Sequence, residues 1–236
     1  MKLASVLAAL IGLCAAGPSP ADSVVVPYEV GGAYRLPITS MKGARFRAMI
    51  RQQYDFSCGS AALSTLLTYH YGYKVTEEAV FTEMYNSGDQ AKIRRDGFSL
   101  LDMKRYLEHH GFKADGFEAP LEKLGQVGIP GIVLINENGY NHFVVVKGLR
   151  DGRVLVGDPS AGTRAMTKAG LEQMWTNGIL FVISNRQELA QFNIAAEWNA
   201  LPKAPLVDGI DREGLAAILL RKAGQEQLLL HVMEPL

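Results

Sequence analysis

The stretch that decides the fold is Arg51-Gln-Gln-Tyr-Asp-Phe-Ser-Cys58-Gly59-Ser-Ala-Ala-Leu63. From Gly59 onwards the apolar residues recur at helical spacing until Tyr71-Gly72 ends the pattern. The sequence therefore predicts a helix whose first turn holds Cys58. Backbone N–H groups without partners and the helix dipole favour a thiolate at that place, and Gly59 permits close backbone approach beside the sulfur. Gln52 lies upstream as a candidate oxyanion donor.

The first residues of the chain predict a secretory signal peptide. Lys2 precedes an apolar run over residues 3–16, which is too short to cross a bilayer as a helix. Cleavage is expected after Ala21, with Ala16 as the alternative. We therefore expect a periplasmic protein whose mature chain has no integral membrane segment.

Export would leave Cys58 as the one cysteine of the mature chain. The chain has two cysteines, and Cys14 leaves with the signal peptide, so Cys58 cannot form an internal disulfide. A lipoprotein would use Cys14 as its acylated residue, but bulky Leu13 occupies the preceding place, where a small residue is expected. An unpaired thiol in an exported protein indicates either deep burial or chemistry.

Composition limits the classes of function. The chain has 236 residues, of which 48% are hydrophobic and 20% charged, enough for one globular domain with extensions. Its 24 basic residues balance its 24 acidic residues. This balance excludes the basic surface typical of proteins that bind nucleic acid.

The hydrophobic pattern changes from helical to alternating along the chain and predicts an α+β fold. Helices are expected after Gly59, after Thr76 and after Ser99, which opens a capping box with Asp102. Strands are expected over 131–135, 142–147 and 153–156, in an antiparallel meander, with one more strand over 178–184. We predict a signal peptide over 1–21, an extended arm over 22–47, the main domain over 48–185, and a C-terminal helical extension over 186–236 that starts with a helix from Gln187 to Leu201.

His142 is the histidine that fits a catalytic base. It opens an otherwise apolar strand, where a polar ring is either satisfied by the backbone or functional. Three others, His70, His109 and His110, are expected at helix ends, where the dipole favours them. His231 falls in the C-terminal extension.

Asp158 is the candidate third member of the site. It ends the strand after His142, and both residues lie about eight positions from the turn near Asp151, so they can lie side by side at one end of the sheet. The alternative for Asp158 is an ordinary turn aspartate before Pro159. Taken together, the order Gln52, Cys58, His142, Asp158 fits a papain-like arrangement.

Other chemistry has little support in the sequence. One cysteine and scattered histidines show no metal-ligand spacing, so we expect no metal and no cofactor. The chain also lacks a GxxxxGK[ST] motif, and we expect no ATP-binding module.

The region over about 48–185 resembles the bacteriocin-processing cysteine peptidases, which remove double-glycine leader peptides and are usually fused to an ATP-binding cassette exporter. The likeness rests on Gln52, the Cys58-Gly59 pair, the Asn141-His142-Phe-Val-Val strand and Asp158-Pro159. It implies a papain-like fold, with Cys58 as nucleophile, His142 as general base and acid, Asp158 as orienting carboxylate and Gln52 as oxyanion donor.

The resemblance is closest to a stand-alone exported branch encoded with functional-amyloid secretion systems. It implies a peptide or protein substrate and partners among the components of such a system. Transporter-bound members often have Asp or Glu before the cysteine, whereas this chain has Ser57, a departure that bears on specificity more than on chemistry.

Two other functions are compatible with the same residues. An amidase or acyltransferase would use the same acyl-enzyme chemistry, and the sequence does not separate it from a peptidase. A catalytically weak or inactive peptide-binding module is the second alternative, although such proteins typically lose the nucleophile that is present here.

Overall fold

The computed structural model describes residues 23–28, 32–37, 40–175 and 177–199. It divides into two compact units, 1–43 and 44–236. In the first unit, β1 (Ser23–Tyr28) pairs antiparallel with β2 (Gly32–Pro37). The predicted signal peptide over 1–21 lies outside the described residues.

Helices fill the first half of the second unit and follow a short helix, α1 (Met41–Arg45). The predicted capping box is present, because Ser99 accepts from the Asp102 N–H and the Asp102 carboxylate accepts from the Ser99 N–H. Thr76 caps the preceding long helix by accepting from the Ala79 N–H. The helices are α2 (Cys58–Thr65), which continues as a π-helical turn (Leu66–His70), α3 (Glu77–Ser87), α4 (Gln90–Asp96) and α5 (Leu100–His109).

An antiparallel six-stranded sheet forms the second half. Its strands are β3 (Ala114–Glu118), β4 (Gly131–Glu137), β5 (Tyr140–Arg150), β6 (Arg153–Asp158), β7 (Gly162–Thr167) and β8 (Ile179–Ile183). They lie in the order β3-β8-β4-β5-β6-β7, so β4, β5 and β6 are neighbours, as expected for a meander. Two helices connect them, α6 (Glu122–Val127) and α7 (Lys168–Met174).

The sheet lies between two apolar clusters, and β5 contributes to both. Phe143 and Val145 pack in the cluster that contains Cys58 and the helices α2, α3 and α5. Val144 and Val146 pack in the other cluster, against residues of α6 and α7. Alternation along one strand thus explains why β5 reads as a continuous apolar run.

Close packing explains the small residues of α2. All eight of its residues are buried. A Cβ on Gly59 would come within 3.0 Å of Met103 and of Phe98, so glycine is needed for contact with α5 and the segment before it. Packing is thus a reason for glycine at this position that is separate from its predicted place beside the sulfur.

The chain after the sheet differs from its prediction. The helix expected from Gln187 to Leu201 is wrong, because the structure has a 3₁₀ turn (Gln187–Leu189), non-helical backbone and then α8 (Ala195–Asn199). In the non-helical part the Gln191 N–H donates to the His70 carbonyl at 2.8 Å and the Asn193 N–H to the Lys147 carbonyl at 2.9 Å. These bonds to distant elements outweigh local helix propensity. The rest of the predicted extension, 200–236, lies outside the described residues.

The predicted α+β class is confirmed: the helical half carries Cys58, and the antiparallel sheet carries His142 and Asp158. Five elements have no counterpart in the prediction, namely α4, β3, α6, β7 and α7. The predicted extended arm over 22–47 is wrong at its end, where the backbone forms the short helix α1. Within the described part of the chain, no helix combines the length and apolar character needed to cross a membrane.

Candidate active site

Cys58 is the first residue of α2, and only 6% of its surface is exposed. The preceding Ser57 does not cap the helix. Its hydroxyl instead accepts from the Tyr54 N–H at 3.1 Å and donates to the Tyr54 carbonyl at 3.0 Å. The first turn of α2 also holds no acidic residue. A thiolate at Cys58 would therefore lie at the positive end of this helix.

His142 has one ring nitrogen engaged and the other open. Its Nε2–H donates to Oδ1 of Asp158 at 2.9 Å, and 4% of the residue is exposed. Its Nδ1 is buried and has no hydrogen-bond partner among the described residues. Because the bond to Asp158 fixes the proton on Nε2, Nδ1 is the nitrogen left to accept a proton.

The electrostatics make Cys58 a neighbour of the His142 ring. Burial lowers the pKa of His142, but the hydrogen bond to Asp158 and the neighbouring Cys58 sulfur raise it by more, so that it rises to about 9. The sulfur and the carboxylate thus favour the same protonated ring. Asp158 thus orients the ring and, together with the sulfur, stabilises its charged form.

Asp158 is held from several directions at the end of β6. Its Oδ1 accepts from the Ser160 N–H at 2.8 Å and the Ser160 hydroxyl at 2.6 Å, and its Oδ2 pairs with Arg164 at 3.1 Å. Burial raises the pKa of Asp158, but the bonds from His142 and Ser160 lower it by more, to well below its usual value. The turn role and the His142 partner role, which the sequence posed as alternatives, are combined in one carboxylate.

Gln52 lies in the loop before Cys58, and this loop is hydrogen-bonded to the end of β6. Its backbone N–H donates to the carbonyl of Pro159 at 3.1 Å, directly after Asp158. Its side-chain Nε2 donates to the Tyr54 carbonyl at 3.1 Å. An amide nitrogen carries two hydrogens, so one N–H is left for an oxyanion.

Three residues at the site were missed by the sequence prediction: Tyr140, Ser160 and Arg164. Ser160 and Arg164 hold Asp158, and nothing local in the sequence marks them. Tyr140 precedes His142 by two positions on β5, and its ring centroid lies 6.2 Å from that of His142. The alternation of side chains along a strand would have placed it on the same face.

The remaining histidines have structural partners or lie elsewhere. His70 is buried, and its Nδ1–H donates at 2.7 Å to a backbone carbonyl of the C-terminal segment. Burial, with help from a nearby lysine, lowers its pKa to about 3, so its ring is neutral. His110 and His109 lie 2.9 Å and 3.7 Å from Glu83, and His231 lies outside the described residues.

The side chains that could bind a metal ion are scattered over the described part of the chain. No group of three or more His, Cys, Asp and Glu side chains there is arranged to hold an ion. The chemistry available at the site is that of a thiol, an imidazole and a carboxylate.

Comparisons with known proteins place this arrangement in a family. The family model described as Peptidase C39 matches residues 47–187. The chain is 40% identical over 172 residues to the Pseudomonas fluorescens protein named "Probable functional amyloid protease FapD", covering 72% of this chain and 76% of that protein. The protein of the same name from Pseudomonas aeruginosa is 40% identical over 153 residues, covering 65% of this chain and 67% of the relative.

A solved structure shares the fold. The peptidase domain of Streptococcus ComA, a bifunctional ABC transporter involved in quorum sensing, superposes with a TM-score of 0.50 at 19% identity, covering 58% of this chain and 97% of that domain. At this identity the likeness supports the fold alone, and the family model and the curated relatives supply the rest. The chain therefore belongs to the Peptidase C39 family and is a cysteine peptidase.

Proposed function

We propose that the protein is an exported thiol endopeptidase that uses Cys58, His142 and Asp158 as a catalytic triad. The observation that carries the proposal is the open, buried Nδ1 of His142, whose other nitrogen is fixed on Asp158. His70 also has a buried ring nitrogen without a partner, but its ring lies near Lys147, whereas the His142 ring neighbours the Cys58 sulfur. A buried ring nitrogen without a partner costs free energy unless it has a task. Proton transfer with the Cys58 thiol is that task.

The reaction follows from the position of each group. Nδ1 of His142 takes the thiol proton, and the Cys58 sulfur attacks the carbonyl carbon of a peptide bond. The backbone N–H of Cys58 and the remaining N–H of Gln52 stabilise the oxyanion. His142 then gives its proton to the leaving amine, and water hydrolyses the thioester to release the acid and restore the thiol.

The substrate class follows from the relatives. Both curated relatives are named as functional amyloid proteases, and this chain covers two thirds or more of each. A peptide segment of a secreted or amyloid-related protein is accordingly the substrate we propose. The components of an amyloid secretion system are the proposed partners.

Hydrolysis is tested with a library of peptides whose new N-termini are read by mass spectrometry. Wild-type protein is expected to generate a consistent cleavage pattern that Cys58→Ala and His142→Ala abolish, whereas His109→Ala, which alters an exposed histidine, retains it. Cleavage that persists in Cys58→Ala would overturn the proposal. Transfer of an acyl group to an added amine in place of hydrolysis would favour the acyltransferase alternative.

We further propose export to the periplasm, supported by Lys2 and the apolar run after it. N-terminal sequencing of the protein from a periplasmic fraction is expected to begin at Asp22, or at Gly17 for the alternative cleavage. A cytoplasmic protein that retains Lys2 would contradict this.

A further inference from the structure

Tyr140 connects the strand that carries His142 to the loop that leads to Cys58. It is the first residue of β5, and its ring lies 6.2 Å from the His142 ring. Its hydroxyl donates to the backbone carbonyl of Asp55 at 2.6 Å. A single side chain thus spans from the sheet half of the site to the helical half.

The loop that Tyr140 reaches carries functional groups at both ends. Gln52 opens this segment and Cys58 follows it. The backbone bond from Gln52 to Pro159, at 3.1 Å, holds its beginning against the end of β6. The Tyr140 bond to Asp55 holds the middle of the loop, so the loop is attached to the sheet half at two separate points.

Tyr140 is also placed to contact a substrate. Its side chain is prominent at the surface, with 53% of the residue exposed beside two groups that are nearly buried, Cys58 and His142. Burial and the negative charge of Cys58 raise the pKa of Tyr140, so its hydroxyl remains a donor across the neutral range. An exposed aromatic ring beside buried reacting groups offers a surface to an incoming peptide.

We propose that Tyr140 is a positioning and substrate-contacting residue of the peptidase: its hydroxyl holds the loop 52–57 so that Cys58 and Gln52 face His142, and its ring forms one wall of the substrate entrance. This inference rests on the proposed function. The two parts of the Tyr140 side chain then have different roles: the hydroxyl positions the groups of the site, and the ring contacts the substrate.

The hydroxyl is tested by the pH dependence of Cys58 alkylation with iodoacetamide in Tyr140→Phe. Tyr73→Phe is the matched control, because Tyr73 is also partly exposed and its hydroxyl lies 3.0 Å from the His110 ring in a different part of the fold. We expect Tyr140→Phe to slow alkylation several-fold at pH 6 and much less at pH 9, where an ordinary thiol ionises unaided. Tyr73→Phe is expected to follow the wild-type profile.

The ring is tested by steady-state kinetics on the peptide that the library shows to be cleaved fastest. Tyr140→Phe should lower kcat several-fold with KM within about twofold of wild type, whereas Tyr140→Ala should also raise KM. Thermal unfolding of each variant shows whether it is folded. A loss of stability in a variant that stays folded would not change the pH dependence of Cys58 alkylation.

The outcomes separate this inference from the proposed function. A wild-type protein with fast alkylation at pH 6 and a Tyr140→Phe profile that superimposes on it would overturn the role of Tyr140 and leave the triad intact. A wild-type protein that alkylates only as an ordinary thiol does would overturn both.

Discussion

Strand β5 carries two buried charged pairs, and they differ in what each leaves unpaired. His142 binds Asp158 through one nitrogen and keeps the other open. Lys147 is fully buried, donates to the Ala48 carbonyl at 2.7 Å and to the Thr163 hydroxyl at 3.3 Å, and forms an ion pair with Glu197. The ammonium group has three donors and three partners, so nothing remains for chemistry.

The difference teaches how to separate a reactive pair from a structural one. Both pairs are shielded from water, and burial alone would make either a candidate site. The His142 pair, the open pair, lies beside a thiol and has an unused proton acceptor on its ring. In the Lys147 pair, the closed pair, every N–H of the ammonium group has a partner, and the atom left without one is Oε1 of Glu197. Burial lowers the pKa of Lys147 by more than Glu197 raises it. The Glu197 carboxylate offsets part of the free-energy cost of burying the Lys147 charge.

The largest expected effect is on catalysis at the open pair. Replacing His142 with alanine removes the base that activates Cys58, and we expect kcat/KM to fall by a factor on the order of 10³ or more, as for members of catalytic triads. The measurement is peptide cleavage under kcat/KM conditions, with His109→Ala as control. A loss of less than about tenfold in folded protein would show that Cys58 does not depend on His142.

The closed pair should affect stability and not chemistry. Glu197→Gln leaves the buried Lys147 charge without its partner, and we expect the free energy of unfolding to fall by about 3–5 kcal/mol. Denaturant unfolding measures the loss, and Lys147→Met combined with Glu197→Gln should recover most of it. Because the family model ends at residue 187, this prediction also tests whether the segment after it is part of the folded core. Full stability of Glu197→Gln would mean that it is not.

The pH dependence of stability provides a third comparison. The pKa of His142 rises from about 6.5 when unfolded to about 9 when folded. Its contribution, on the order of 3 kcal/mol, is therefore complete below about pH 6.5 and is lost as the pH rises through 9. The pKa of Asp158 is lowered on folding, so its contribution is present above its unfolded value near 4 and is lost in acid.

Titration of the His142 ring by NMR measures this directly. We expect a midpoint near 9 in wild type and a lower one in Cys58→Ala, because the sulfur is one of the groups that raise the pKa. A midpoint near 6.5 in both proteins would mean that neither Asp158 nor Cys58 stabilises the charged ring.

The smallest expected effect on activity comes from the Ser160 hydroxyl, which hydrogen-bonds to Asp158. Ser160→Ala removes the hydroxyl that donates to Oδ1 at 2.6 Å, while the backbone N–H at 2.8 Å remains. We expect a cost of about 1 kcal/mol and a several-fold fall in kcat/KM. Ser87→Ala, which removes an exposed hydroxyl bound to the Glu83 carbonyl in α3, is the control and should leave activity unchanged. Equal activity in Ser160→Ala and wild type would mean that the Ser160 hydroxyl stabilises the turn but does not contribute to catalysis.

Local sequence patterns predicted the parts of the fold that depend on local physics. Helical spacing after Gly59 placed Cys58 at the start of a helix, and the Ser99–Asp102 capping box is present in the structure. The turn near Asp151 set the pairing of β5 and β6, which is why His142 and Asp158 could be predicted as neighbours.

The rest depends on contacts that no local pattern encodes. Lys147 ends the predicted strand over 142–147, and its buried partner Glu197 comes from a segment for which a continuous helix is predicted. Asn193 explains that error, since its N–H and side-chain oxygen bond to the backbone of Lys147 and Leu149 and hold the segment against β5. Tyr140 was missed because the predicted strand began at His142, two residues too late.

The central claim is that the open nitrogen of His142 activates Cys58, and alkylation of Cys58 as a function of pH tests it most directly. Wild-type protein is predicted to react with iodoacetamide rapidly at pH 6, His142→Ala to lose that reactivity, and Glu197→Gln, under conditions where it remains folded, to retain it. Slow alkylation of the wild type at pH 6, with a profile that ignores His142, would contradict the claim and make Cys58 a structural cysteine.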